Sequence, residues 1–227
     1  MTDAEDQSSL SPLQSSLRAP RAAAVAGMVF AVILGTAIVL IRRVVPATGA
    51  DAGSWLASDQ RRDQVTLALG LLPFAGIAFL WFIAVVRDHI GAREDRFFAT
   101  VFLGSGFAFV AMLFSAGAVA SGLVASVDPG GDLPEHWEFG RRLVFTLMNT
   151  YGLRMAAVFT VATTTLGGRL GLIPQWLVAV GYLSAVSLLL VIGLVPLATL
   201  LFPLWVLMLS IHILMAGRWQ ARPATGP

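Results

Sequence analysis

Arg154 is the residue whose type and position in this sequence most directly suggest chemistry. It lies near the middle of an apolar segment, twelve residues after Arg142 and fifteen before Arg169. A charge at the centre of a membrane-spanning helix costs at least about 2.5–3.5 kcal/mol, so such a residue normally faces the bundle interior and has partners there. We therefore expect Arg154 to be buried between helices.

Polar neighbours in the sequence supply part of a candidate ligand site around Arg154. Tyr151 and Thr150 lie one helical turn earlier on the same face, and Asn149 is close by. The apolar segments contain no Asp or Glu that could neutralise the guanidinium group. The candidate ligand-binding residues are therefore Arg154, Tyr151, Asn149 and Thr150.

Two prolines offer further acceptors for the donors of Arg154. Pro73 and Pro203 each interrupt an apolar segment, and each proline frees the carbonyl four residues earlier, at Leu69 and Thr199. We expect helix kinks at both prolines, with the guanidinium group of Arg154 near one of them. Two interpretations remain open: a structural clasp on kinked helices, and an anion or head-group site in a cavity.

Other kinds of chemistry find little support in the composition. The chain has no cysteine and no lysine, which excludes thiolate nucleophiles, cysteine metal sites and lysine Schiff bases. Gly104-Ser105-Gly106 resembles an intramembrane serine nucleophile only superficially, because no histidine is placed to serve it. His89 and His212 could ligate haem, although ordinary interfacial histidines are the simpler interpretation. We predict no catalytic residue, cofactor or metal.

Small residues recur at helical spacing in several apolar segments. Gly27, Ala31 and Gly35 follow one another in the first segment, and Ser115 and Gly122 belong to such a pattern in the third. Small side chains let helix backbones approach closely in lipid. We expect these residues to pack against other helices of this chain, or of a second copy in a homo-oligomer.

The elements that must position these residues are membrane-spanning helices. The chain is 57% hydrophobic and 12% charged, with a mean hydropathy of +0.80. Its apolar residues fall into runs of about 20, the length that a helix needs to cross a bilayer. We predict an all-α polytopic transmembrane helix bundle of about six spans. The spans are expected near Ala22–Ile41, Val65–Val86, Phe97–Ala125, Leu143–Leu166, Gln175–Ile192 and Leu197–Ala216.

Three regions follow from these spans: a disordered cytoplasmic tail at 1–20, a transmembrane domain at 21–218 and a short C-terminal tail at 219–227. Eight arginines lie on the side of the termini and six on the other, apart from Arg154. This bias, and the short basic loop at 87–96, favour cytoplasmic termini in a bacterial inner membrane. The arginines lie mostly at helix ends, so we expect membrane lipids as partners and no nucleic acid.

Three stretches are similar to those of short multi-pass membrane proteins from GC-rich bacteria: 74–82, 94–102, and Tyr151-Gly152-Leu153-Arg154-Met155. The resemblance covers about residues 20 to 220. It implies the architecture and brings no activity, cofactor or catalytic residue with it.

Two functions from different classes remain open at this point. The first is a non-enzymatic protein whose cavity or groove around Arg154 binds or transports an anionic or lipid-like ligand. The second is a structural or accessory subunit that docks on a larger membrane complex. An intramembrane enzyme is a third and weaker alternative.

Overall fold

A computed structural model describes residues 18–45, 54–90, 96–127, 133, 135–190 and 196–219 of the chain. Throughout these ranges the secondary structure is helical and contains no β-strand. The six helices are α1 (Arg18–Val44), α2 (Asp59–Ile90), α3 (Arg96–Ala125), α4 (137–169), α5 (Gln175–Leu190) and α6 (Leu201–Trp219). Short 3-10 helices, Ser54–Ala57 and Pro196–Leu200, precede α2 and α6. The predicted all-α bundle is confirmed.

Helix α4 has three parts that follow one another without a break. An α-helical part, Trp137–Phe145, is followed by the π-helical segment Thr146–Gly152 and a second α-helical part, Leu153–Arg169. The backbone angles at the junctions are all right-handed helical, so the chain keeps one direction through α4.

The helices lie close to the spans expected from the sequence. Helix α3 matches its predicted span to within one residue, and α5 begins at the predicted Gln175. Helix α1 begins at Arg18, inside the predicted 1–20 tail, while residues 1–17 lie outside the described part of the chain. The predicted break at Gly193 also lies outside it, and so does the C-terminal tail after Trp219.

Consecutive helices pack against each other, and α1 packs against α6, so the six helices form a closed ring. The turn between α4 and α5 requires a glycine. Gly171 has a φ of +65°, while the N–H of Leu172 donates to the carbonyl of Gly167 at 2.9 Å. This is the hydrogen-bond pattern of a Schellman C-cap, and it turns the chain back so that α5 runs antiparallel to α4.

Seven phenylalanines fill the centre of the ring. Each is at most 1% exposed, and every helix except α5 contributes at least one. They are Phe30, Phe79, Phe82, Phe102, Phe109, Phe159 and Phe202. Phe79 is the hub of this cluster, because its ring lies within 4.5–6.1 Å, centroid to centroid, of five of the others. The interior is therefore apolar at this depth.

The outer surface of the ring is apolar as well. Large hydrophobic side chains are exposed on all six helices, for example Val25, Phe74, Phe107, Phe145, Leu183 and Leu204. Soluble monomers rarely expose contiguous apolar surface of this extent. Four helical stretches are long and apolar enough to cross a membrane: Ala22–Val44, Asp59–Arg87, Phe97–Ala125 and Ala198–Ala216. These features indicate a membrane protein.

Two glycines allow close helix contacts against buried polar groups. A Cβ on Gly27 of α1 would lie 2.1 Å from Oγ of Ser210 in α6, and one on Gly181 of α5 would lie 2.2 Å from Oγ1 of Thr164 in α4. Both hydroxyls are buried without a hydrogen-bond partner among the described residues. Each hydroxyl lies beside a glycine, where weak C–H···O contacts can form.

The other predicted packing residues differ from Gly27. Ala31 is buried, but a Cβ on Gly35 or on Gly122 would meet nothing within 4 Å. Ser115 and Gly122 lie on the exposed side of α3. Among the described residues, close packing is therefore absent at Gly35, Ser115 and Gly122, and their contact with a second copy stays a prediction.

The two prolines occupy different positions in their helices. Pro73 lies inside α2, which continues on both sides of it, and its ring is exposed. Pro203 lies in the first turn of α6, directly after a 3-10 helix. In a first turn the missing N–H would have no helical partner in any case, so this position does not require a kink.

Candidate functional site

The π-helical segment Thr146–Gly152 contains three of the predicted site residues. Asn and Thr compete with helical backbone hydrogen bonds through their own side chains, which weakens an α-helix locally. Asn149 does this directly, because its Nδ2 donates to the carbonyl of Phe145 at 3.2 Å. Single π-helical turns inside α-helices frequently mark functional sites.

This segment lies about halfway through the bundle. Phe102, near the beginning of α3, stacks on Phe159 in the second half of α4. Met112, further along α3, packs against Gly152, which comes earlier in α4, so the two helices run antiparallel. A Cβ on Gly152 would be 3.5 Å from the Cβ of Met112. Met112 is near the middle of the apolar stretch Phe97–Ala125. Gly152 and its neighbours are therefore near mid-depth of that span.

Arg154 points outward, and the prediction that it is buried is wrong. Its side chain is exposed, while its neighbour Leu153 is 2% exposed. The buried face of this part of α4 includes Ala156, Ala157 and Thr160, each 0% exposed. At 100° per residue, Arg154 is about 160° away from Ala156 around the helix. The cost of a charge in lipid suggested burial, but these three buried residues centre about 110° from Arg154 around the helix, which leaves its side chain outside the buried stripe.

Arg154 finds its hydrogen-bond acceptor in its own helix. Its Nη1 donates to the carbonyl of Thr150 at 2.5 Å, and the described residues provide no second acceptor. The expected contacts with the carbonyls of Leu69 and Thr199 do not form. The hydroxyl of Thr199 instead accepts a hydrogen bond from Nη2 of Arg42 at 2.9 Å.

The four predicted ligand-binding residues are therefore only partly brought together. Thr150 contributes its backbone carbonyl to Arg154, and Asn149 binds the backbone of its own helix. Tyr151 is 56% exposed, and its hydroxyl has no hydrogen-bond partner in the described part of the chain. Arg154 and Tyr151 thus present polar groups on the outer surface, level with the middle of the apolar stretch Phe97–Ala125.

No carboxylate within the described ranges pairs with Arg154. The acid that precedes it most closely in the sequence is Glu138, sixteen residues earlier. Glu138 binds Arg141 at 2.9 Å and Arg142 at 2.7 Å. Hydrogen bonds from Arg141 and Arg142 lower the pKa of Glu138 to about 2, so this carboxylate is ionised and already paired at neutral pH. Arg154 therefore keeps an uncompensated positive charge.

Residues considered for other chemistry have structural environments. The hydroxyl of Ser105 is buried and donates to the carbonyl of Val101 at 2.6 Å, which ties it to its own helix. The side chain of His89 lies outside the described part of the chain. Within that part, no three His, Asp or Glu residues are grouped closely enough to hold a metal ion.

Two features were not predicted from the sequence: the buried polar groups around Gly181 and the groove that contains His212. Trp205 is 0% exposed, yet its Nε1 has no hydrogen-bond partner among the described residues and lies 2.9 Å from the Cβ position of Gly181. The available signal was the pair of small polar residues Thr164 and Ser184, which fall on the buried faces of adjacent helices. His212 lines a surface groove between α5 and α6.

No family model, curated protein or solved structure matches this chain. The fold and its apolar outer surface define its class as a helical membrane protein.

Proposed function

We propose that the chain is a non-catalytic subunit of a membrane complex that docks through the outer face of α4. This docking face consists of Tyr151, Arg154 and Val158, which follow one another at helical spacing. Its partner is a transmembrane helix that carries an Asp or Glu near mid-depth. The observation that carries the proposal is the exposed, uncompensated Arg154 at the middle of the bundle.

The energy of a charge in lipid supports a protein partner. An arginine at the centre of a span costs at least about 2.5–3.5 kcal/mol, and arginine does not lose its proton in proteins. The carbonyl of Thr150 is neutral and accepts one hydrogen bond, so most of the five N–H donors of Arg154 are left unused. A carboxylate on a neighbouring helix would neutralise the charge and accept two of these donors side by side.

A second copy of this chain fits this requirement poorly. The sequence has no Asp or Glu after Glu138 and none within the other predicted spans. A symmetric contact between two α4 helices would also bring two Arg154 side chains together, and like charges repel.

A lipid phosphate also fits poorly, because of depth. Thr150, whose carbonyl binds Arg154, lies eight residues beyond Arg142, which is about 12 Å along a helix. If the exposed Glu138, Arg141 and Arg142 mark the membrane surface, a phosphate would have to sink by roughly this distance. A carboxylate on a partner helix can be placed at mid-depth directly.

The alternative of an anionic or lipid-like ligand in a cavity around Arg154 draws less support from the geometry. The interior of the ring is filled by the phenylalanine cluster around Phe79, and the exposed side chain of Arg154 lies outside the buried face of α4. Transport through the centre would require these rings to separate.

We further propose that all six helices cross a bacterial inner membrane, with both termini in the cytoplasm. An even number of crossings puts both ends on one side, and the excess of arginine favours that side. Membership in the group of short multi-pass proteins from GC-rich bacteria belongs to the same proposal.

Replacing Arg154 tests the docking face. In nanodiscs excised from the native membrane, we expect the wild-type chain to be bound to a partner protein. Arg154→Leu should lower the fraction of the chain in this complex about 30-fold or more. Truncating one partner of a buried charge pair costs about 2–5 kcal/mol, which corresponds to this loss. Native mass spectrometry of the excised particles measures the bound fraction.

Arg87→Leu is the matched control, because Arg87 is exposed at the end of α2 and lies outside the docking face. It should leave the complex intact. Equal bound fractions for wild type and Arg154→Leu, with both chains folded, would contradict the proposal. A charge reversal, Arg154→Glu, should be rescued by placing an arginine at the partner's acidic position.

A further inference from the structure

A surface groove of about 410 Å³ lies between the beginning of α5 and the last turns of α6. It shares no residue with the docking face, and its lining is almost entirely apolar. The lining residues are Trp176, Met208, Ile211, His212, Met215 and Ala216. The volume falls in the lower range of small-ligand pockets and is too small to accept a helix.

His212 is the one ionisable side chain in this lining. It lies inside the membrane-spanning stretch Ala198–Ala216, four residues from its end, which is about 6 Å along the helix. Its side chain is half-buried and has no hydrogen-bond partner among the described residues. A neutral imidazole always carries one N–H donor, and an unpaired donor in lipid is costly. Ionisable residues inside spans generally mark functional sites.

We propose that this groove holds one acyl chain of a glycerophospholipid from the adjacent leaflet, and that His212 donates a hydrogen bond to its ester carbonyl. Ester carbonyls lie at the border of the hydrocarbon core, about one helical turn from the depth of His212. They accept hydrogen bonds and donate none, so they match an imidazole N–H.

The remaining lining residues fit a flexible chain at this border. Met208 and Met215 have unbranched thioether side chains that adapt to irregular apolar shapes. Trp176 is 57% exposed at the mouth of the groove, and tryptophan is enriched where membrane and water meet. The proposal rests on membrane insertion alone and is independent of the partner of Arg154.

Two lipids that differ only in their linkage test the proposal. We expect native mass spectrometry of the full chain to show one retained diacyl phosphatidylcholine, and about fivefold less retention of the dialkyl ether analogue. A fivefold difference in retention is the effect expected from losing one neutral hydrogen bond. His212→Leu should lower retention of the ester lipid to the level of the ether lipid.

Matched controls separate the groove from the rest of the surface. His136→Leu removes an exposed histidine outside the spans and should leave retention unchanged. Trp176→Ala should lower retention of both lipids, whereas Trp81→Ala, on the exposed face of α2, should not. Equal retention of ester and ether lipids by the wild-type chain would overturn the proposal. The same conclusion would follow if a copurified peptide occupied the groove, or if His212→Leu retained the ester lipid fully while folded.

Discussion

Phe79→Ala is expected to lower the free energy of unfolding by about 3–5 kcal/mol, the usual cost of emptying a buried phenylalanine site. Phe79 is 0% exposed, and its ring contacts those of five other phenylalanines, one on its own helix and four on four other helices. In lipid, helix association depends largely on such van der Waals packing. The void would therefore remove contacts between several helices at once.

Reversible unfolding in mixed micelles of increasing dodecyl sulfate content measures this loss. Trp81→Ala is the control, because it removes a larger side chain from the same helix, where Trp81 is 67% exposed. Its effect should stay within about 1 kcal/mol. If the two variants were equally stable, the phenylalanine cluster would not be the packing centre of the ring.

Gly27→Leu is expected to disrupt the contact between α1 and α6. A Cβ at this position would lie 2.1 Å from Ser210 Oγ and 2.8 Å from a ring carbon of Phe82, so these side chains must shift, and the remaining atoms of a leucine need still more room. Overpacking of this kind costs about 1–3 kcal/mol, and a full leucine belongs at the upper end. The same unfolding measurement, together with the melting temperature in detergent, reports the loss.

Gly35→Leu is the matched variant on the same helix, where nothing lies within 4 Å of the added Cβ. We expect its stability to equal that of the wild type. A loss at Gly35 equal to that at Gly27 would show that the two positions are not packed differently. A change of oligomeric state at Gly35 alone would support the contact with a second copy that the glycine pattern predicts.

The helices themselves could be predicted from the sequence, because in lipid each backbone N–H and C=O must be satisfied within its own segment. A run of about 20 apolar residues therefore predicts a helix almost without tertiary information. Helix α3 shows this clearly, since its predicted and observed ends at Ala125 coincide. The 3-10 helix Pro196–Leu200 was harder to predict, because an apolar composition suits both kinds of helix.

The direction of side chains was predicted less well, because it depends on which face of a helix its neighbours cover. Lipid and protein interior are both apolar, so hydrophobicity does not distinguish the two faces of a span. Gly152, Ala156 and Thr160 are small residues at helical spacing in the fourth predicted span, and this pattern alone would place Arg154 away from the packed face. The energetic cost of exposing a charge to lipid favoured a buried Arg154 instead, and that orientation was wrong.

Spin-label accessibility tests most directly whether Arg154 faces outward at mid-depth. The native chain has no cysteine, so one introduced cysteine carries the only label. In lipid nanodiscs, a label at Arg154→Cys should collide readily with oxygen and hardly with a water-soluble nickel chelate. A label at Leu153→Cys, which is 2% exposed at the same depth, should be immobile and shielded from both. Shielding at Arg154 would mean that the residue is buried, and access for the nickel chelate would mean a water-filled cavity; either result would contradict the docking face.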